Sequence, residues 1–256
     1  MILEARDLTV RFGGVSALAG VSFQVAPGTV TSLIGPNGAG KTTAFNVITG
    51  FQRPTQGTVR HDGETITGWR AHRIAARGLV RTFQKTSVFG GLTVRENVLT
   101  GLHLRGRVGV AAALLARVRV RAEEERLAGE ADRVIDFVGL GPRRDELASG
   151  LSYGDQRLLE LAVALAAGPR LLLLDEPASG MTASEKVTVA ALIGRIREQG
   201  VTVFLVEHDM RLVMGISDRV LVLNYGRLIA DGDPAAVQRD PEVVRAYLGS
   251  GAHAHA

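Results

Sequence analysis

The sequence contains no cysteine and only three lysines, at Lys41, Lys85 and Lys186. Without thiols it can form neither a disulfide framework nor a thiolate metal site, which fits a cytosolic setting. Aromatic residues make up 5% and hydrophobic residues 46%, so a sizeable core is available but must be built from aliphatic side chains. No apolar run approaches the roughly 20 residues that a membrane-spanning helix needs. The longest runs, 171–174 and 201–206, have the length of strands. The opening Met-Ile-Leu-Glu-Ala-Arg-Asp lacks the basic start and apolar stretch of a signal peptide. A soluble chain is expected, with any membrane role exercised through partners. The net charge over 256 residues is only +4, and arginines are spread along the chain instead of clustering among aromatics. That distribution argues against nucleic acid as a partner.

What is present has a clear order. Residues 30–34, 170–174 and 201–206 are near-continuous apolar runs bounded by breakers, the pattern of parallel strands buried on both faces. Each leads through a polar loop into a helical pattern, the alternation of an α/β fold whose ligands sit beyond the carboxyl ends of the strands. Residues 2–12 and 21–25 read as antiparallel strands beside a turn at Gly13-Gly14. From 93 to 167 the pattern is mostly helical, broken at Asn97, Gly101, Gly141-Pro142 and Gly150. The expected organisation is an α/β core over 1–92 and 168–249, an inserted helical lobe over 93–167, and a disordered tail over 250–256. Within the lobe, 105–126 reads as a basic, solvated helix face.

Gly35-Pro36-Asn37-Gly38-Ala39-Gly40-Lys41-Thr42 matches G-x-x-x-x-G-K-[ST] and stands between a strand and a helical run that opens at Thr43. The glycines let backbone N–H groups close around a phosphate chain, and the helix adds the positive end of its dipole. Lys41 brings a cation to the β- and γ-phosphates, and Thr42 offers a hydroxyl to Mg²⁺. The strand at 171–174 runs into Asp175-Glu176-Pro177, so two acids face the ligand crevice. Alone, these could be an ordinary charged turn. Beside a phosphate loop, Asp175 suits Mg²⁺ through a coordinated water, and Glu176 suits orienting or deprotonating an attacking water. Asp175 lies 134 residues after Lys41, a gap too wide for a small GTPase or nucleotide kinase and matched by the helical lobe.

Just before the acidic strand stands Leu151-Ser152-Tyr153-Gly154-Asp155-Gln156, followed by a helical run. It resembles the L-S-G-G-Q signature of the ATP-binding cassette (ABC) family. Tyr153 and Asp155 depart from the common form, while Ser152 and Gly154, the phosphate-facing pair, are retained. The resemblance covers nearly the whole chain and implies a P-loop NTPase cassette: a RecA-like core, an N-terminal antiparallel β-subdomain and an inserted helical subdomain. It further implies that Phe12 stacks on adenine, that Gln84 contacts Mg²⁺ and water and joins the two lobes, and that His208 senses the γ-phosphate. In place of the family's Ser-x-Leu-Asp, this chain has Ser179-Gly180-Met181-Thr182, with Thr where Asp is common.

In finer detail the chain resembles the LivG-type ATPase subunits of branched-chain amino acid importers, through 11–14, 45–51, 151–156, Asn224-Tyr225-Gly226 and the Asp-Pro-Glu-Val-Val-Arg-Ala-Tyr-Leu-Gly run ending at Gly249. Such a subunit hydrolyses ATP with Mg²⁺ as a head-to-tail dimer with a second ABC ATPase or with itself. It sits at the inner face of the membrane on two transmembrane permease subunits, served by an extracytoplasmic solute-binding protein. An ATPase of a lipid- or lipopolysaccharide-exporting system shares every catalytic motif and is the alternative. A soluble ABC ATPase acting on nucleic acid is disfavoured, because such proteins carry tandem cassettes or a long coiled-coil insertion.

Overall fold

A computed structural model describes residues 1–82, 88–102 and 117–251. The chain separates into two units, residues 1–81 with 170–256, and residues 82–169. The first unit begins with β1 (Leu3–Phe12), β2 (Val15–Val25), β3 (Val30–Ile34), α1 (Lys41–Ile48), β4 (Gln56–His61), β5 (Glu64–Thr65), α2 (Ala71–Ala75) and β6 (Leu79–Arg81). The second unit contains α3 (Val94–Leu102), α4 (Arg117–Val138) and α5 (Tyr153–Ala166). The chain then returns to the first unit with β7 (Leu171–Asp175), α6 (Ala183–Glu198), β8 (Thr202–Val206), α7 (Met210–Ile216), β9 (Arg219–Asn224), β10 (Arg227–Gly232), α8 (Pro234–Arg239) and α9 (Pro241–Gly251).

Two sheets build the first unit. One is antiparallel, in the order β2-β1-β4-β5. The other runs β10-β9-β3-β8-β7-β6, parallel from β9 to β6, with β10 antiparallel at its edge. Every residue of β3, β7 and β8 is buried, which is why all three read as unbroken apolar runs. Phe45, Phe204 and Phe23 form a row of tilted rings, with centroids 5.2 and 5.5 Å apart, inside an otherwise aliphatic core. Strand β2 starts at Val15, well before the expected 21, because its first residues are largely exposed and show no apolar alternation.

In the second unit, α3 crosses α5 at close range. A side chain at Gly101 would place its Cβ 2.2 Å from the carbonyl oxygen of Val163, so only glycine permits the approach. Arg95 on α3 grips Asp132 on α4 through both carboxylate oxygens, at 2.6 and 2.7 Å. The buried Asn97 bonds the backbone of Phe89, Leu92 and Thr93. The break expected at Asn97 is therefore a satisfied core amide within α3. Helix α9 continues through Gly251, past the expected end of order at 249, and residues 252–256 lie outside the described residues, as do 103–116 of the basic stretch. No helix among the described residues is long and apolar enough to cross a membrane.

Candidate functional site

The loop from β3 to α1 is shaped by backbone pressing on it from two sides. A Cβ on Gly35 would lie 2.1 Å from the carbonyl oxygen of Leu223 on β9, and one on Gly40 would lie 2.5 Å from that of Ala17 on β2. Both glycines also have positive φ, at 151° and 106°, which side chains rarely adopt. The turn between β9 and β10 fastens the loop, because the N–H of Gly226 donates to Ala39 at 3.0 Å while its carbonyl accepts from Ala19 at 2.8 Å. Asn37, Gly38 and Thr42 are exposed, and Ala39 is buried beneath them.

No side chain caps α1 at Gly40, and no acid lies in its first turn. The N–H groups of Lys41, Thr42 and Thr43 have no acceptor within the helix. Together with the helix dipole they make a site for an anion. The Lys41 ammonium folds back to donate to Gly35 at 2.7 Å and Pro36 at 3.0 Å. Burial lowers its pKa, while attraction to Glu176 and then Asp175 acts in the opposite direction. Both acids thus lie near enough to the lysine to act on its charge.

Asp175 closes β7, with Val206 of β8 as its sheet neighbour. Its carboxylate accepts from Arg81 at 2.7 Å in an ion pair with both side chains below 8% exposure. The same guanidinium donates to Asn46 at 2.7 Å and Thr49 at 3.2 Å on α1. Arg81 thus ties the phosphate-loop helix to the acidic strand. Glu176 has φ 51°, a left-handed conformation that costs a non-glycine residue about 1–2 kcal/mol. Its N–H donates to Val206 at 2.9 Å, and His208 Nδ1 lies 4.0 Å from its carboxylate.

Behind these residues lies Glu207, 1% exposed. One oxygen accepts from the N–H of Ala178 at 2.9 Å, and the other accepts from His208 at 3.0 Å and Asp209 at 3.4 Å. It joins the loop after β7, which carries Glu176, to the loop after β8, which carries His208. Thr182, the departure from the family's Asp, caps α6 in a capping box. Its hydroxyl accepts from the Glu185 N–H, and Glu185 accepts from the Thr182 N–H at 2.8 Å. Threonine and aspartate are both good N-caps, so the exchange preserves the helix start.

Within the second unit, Ser152 caps α5 by accepting from the N–H of Asp155, and its own hydroxyl donates to the Asp155 carboxylate at 2.7 Å. Arg143 lies 3.1 Å from the same carboxylate. Tyr153, the other departure, accepts through its hydroxyl from Arg157 at 3.1 Å, and Arg157 is paired in turn with the buried Glu160 at 2.7 Å. Both departures from the signature therefore serve the start of this helix. Gly154 is buried in its first turn.

The structure brings Lys41, Asp175, Glu176 and His208 together. Phe12 stands 53% exposed at the tip of the β1–β2 hairpin, the hairpin whose Ala17 abuts Gly40. Gln84 lies outside the described residues. Arg81, Glu207 and Gly226 were not singled out from the sequence. Gly226 falls inside a stretch used only for resemblance, and no local pattern marks Arg81 or Glu207. The Thr42 hydroxyl and the Asp175 carboxylate are hard oxygen donors of the kind a small divalent cation selects.

Comparison with known proteins adds a second line of argument. A family model described as ABC transporter matches residues 18–179, and one described as branched-chain amino acid ATP-binding cassette transporter matches 227–253. The high-affinity branched-chain amino acid transport ATP-binding protein BraF of Pseudomonas aeruginosa is 45% identical over 97% of this chain and 98% of its own. The corresponding protein LivG of Escherichia coli is 41% identical over the same shares. Among solved structures, the ADP conformation of MJ1267, an ATP-binding cassette of an ABC transporter, superposes with a TM-score of 0.85 at 32% identity, covering 97% of this chain and 98% of that one.

Proposed function

This chain belongs to the ABC transporter family, and on that premise we propose that it binds and hydrolyses ATP to drive an importer of branched-chain or related amino acids. The observation that carries the reading is the meeting, at the carboxyl ends of β3, β7 and β8, of an uncapped helix start bearing Lys41 with the acids Asp175 and Glu176. The C-terminal match over 227–253 and the branched-chain amino acid transport relatives support the choice of importer.

In this reading the N–H groups of 38–43 and the Lys41 ammonium hold the β- and γ-phosphates, and Phe12 lies under the adenine. Thr42, Asp175 and Gln84 hold Mg²⁺, which supplies charge neutralisation at the transferring phosphoryl group. Glu176 orients a water and takes its proton as the water oxygen bonds to the γ-phosphorus. The bond from that phosphorus to the β–γ bridging oxygen breaks, giving ADP and phosphate. His208, anchored beside Glu176 by the buried Glu207, reads whether the γ-phosphate is present. Ser152 and Gly154 act on the nucleotide of a second cassette, so ATP favours a closed head-to-tail pair because half of each site exists only there. The pair works at the inner face of the membrane on two permease subunits, fed by an extracytoplasmic binding protein.

The test uses Lys41→Ala and Glu176→Gln in the full chain. Lys41→Ala is expected to lose ATP binding and hydrolysis together. Glu176→Gln is expected to keep ATP binding, lose turnover, and accumulate as a dimer on size-exclusion chromatography in Mg-ATP. Near-normal turnover by either variant would sink the assignment of that residue.

A further inference from the structure

Helix α5 begins with an anion of its own. Asp155 lies in its first turn, where the common signature has neutral glutamine. Its Oδ2 accepts from the Ser152 hydroxyl at 2.7 Å, and the guanidinium of Arg143 lies 3.1 Å from that same oxygen. Arg143 is not part of α5; it closes the short 3₁₀ turn Gly141–Arg143 that precedes it in the chain.

Two difficulties follow for a phosphate arriving at Ser152. The hydroxyl has a single proton, and Asp155 holds it. A phosphate oxygen that takes this proton at an ordinary distance of about 2.7 Å comes within roughly 5.5 Å of the Asp155 oxygen, where like charges repel. The acid already complements the helix dipole, so it also competes for the field that would draw the phosphate in. Arg143 answers both difficulties from one position. We propose that Arg143 is a positioning residue for the shared nucleotide site: it neutralises Asp155 and keeps Oδ2 partnered when the Ser152 hydroxyl turns to the γ-phosphate of the second cassette. The proposal rests on the reading of Ser152 and Gly154 as the pair that acts on that cassette's nucleotide.

The test compares Arg143→Gln, Asp155→Gln and the two together, each in the Glu176→Gln chain, by the dissociation constant of the Mg-ATP dimer in analytical ultracentrifugation. In a mostly aqueous medium, an uncompensated carboxylate at about 5.5 Å weakens anion binding by about 3- to 10-fold per site. A symmetric pair has two such sites, so Arg143→Gln should weaken the dimer by about 10- to 100-fold. Asp155→Gln removes the charge and should dimerise at least as well as the parent, and adding Arg143→Gln to it should change little. ATP affinity of the isolated chain should hold in all three. The Arg143–Asp155 pair is partly exposed, so its loss should cost no more than about 4 °C in melting temperature. A dimer within about 2-fold of the parent in Arg143→Gln, below the smallest loss one bare charge implies, overturns the proposal. So does an equal loss with and without Asp155, because Arg143 would then act on something other than that charge, and so does a larger fall in melting temperature. A Glu176→Gln chain that stays monomeric in Mg-ATP counts against the head-to-tail reading and the proposal together. If Ser152→Arg dimerises as well as the parent, the signature reading itself fails; if Ser152→Arg blocks the dimer and Arg143→Gln does not, the proposal alone fails.

Discussion

Glu207→Gln is the sharpest probe of how the loops that carry Glu176 and His208 are held. The wild-type carboxylate accepts three backbone N–H bonds, at 2.9, 3.0 and 3.4 Å, and is 1% exposed. The amide has one oxygen, so it can serve Ala178 or the His208–Asp209 pair but not both, and its NH₂ is aimed at whichever donor it abandons. Hydrogen bonds to a charged acceptor contribute about 1.5–3 kcal/mol each, and an abandoned buried donor adds a desolvation cost. Losing one short bond this way destabilises by about 2–3 kcal/mol, and Glu207→Ala, which loses all three and leaves a cavity, by about 4–5 kcal/mol. For a chain of this size, 1 kcal/mol moves the melting temperature by roughly 2–4 °C. Glu207→Gln should therefore melt roughly 5–10 °C lower by circular dichroism, measured without nucleotide to avoid ligand stabilisation. Because the loops carrying Glu176 and His208 both lose their anchor, kcat should fall more than ATP affinity. A melting temperature within about 2 °C of wild type, with normal turnover, would refute the anchoring role.

Thr182→Ala should destabilise by about 1 kcal/mol in chemical denaturation, whereas Thr182→Ser, which keeps the cap, should stay within about 0.5 kcal/mol. The Lys186 hydrogen bond, with smaller help from the backbone N–H of Leu212, holds the Asp209 carboxyl below its ordinary value. Its contribution to stability is therefore complete above about pH 4 and is lost as pH falls through the depressed folded value. Lys186→Met should move the acid-unfolding midpoint to higher pH; an unmoved midpoint would refute that linkage. Ser152→Arg should leave ATP affinity of the isolated chain intact and abolish hydrolysis at the partner cassette's nucleotide in the assembled complex, measured in mixed complexes. Weakened binding in the isolated chain would mean that Ser152 acts on its own chain's nucleotide.

What could be read from the sequence follows from which interactions are local. Strands β3, β7 and β8 are legible because burial on both faces writes itself as a continuous apolar run. The phosphate loop is legible because its glycines, lysine and threonine must be consecutive. Glu207 is not, because its burial depends on Ala178, 29 residues earlier, and on a loop crossing that no local pattern encodes. Arg81 depends in the same way on Asp175 across the sheet and on Asn46 across the loop helix. Gly226 sits in a turn that the sequence marks, but the turn's grip on Ala39 follows from the sheet order alone. Thr182, which looked like a departure from a functional consensus, is a helix cap, and Asp155 accepts from the hydroxyl of the cap Ser152, roles that several residue types can fill.

The sheet order also governs the life of the newly made chain. Strand β3 precedes the phosphate loop, yet its two sheet neighbours are β8 and β9, where Val30 pairs with Val203 and Thr31 with Arg219. On the ribosome, β3 must therefore wait for β8 and β9 to be synthesised before either edge is covered. Contacts this distant in sequence fold slowly and leave apolar edges exposed in the interval. A nascent chain stalled before residue 200 would carry the complete phosphate-loop sequence with no sheet to hold it. Nucleotide binding thus becomes possible only after β8 and β9 have been made, and the early β3 segment is where chaperone contacts should concentrate.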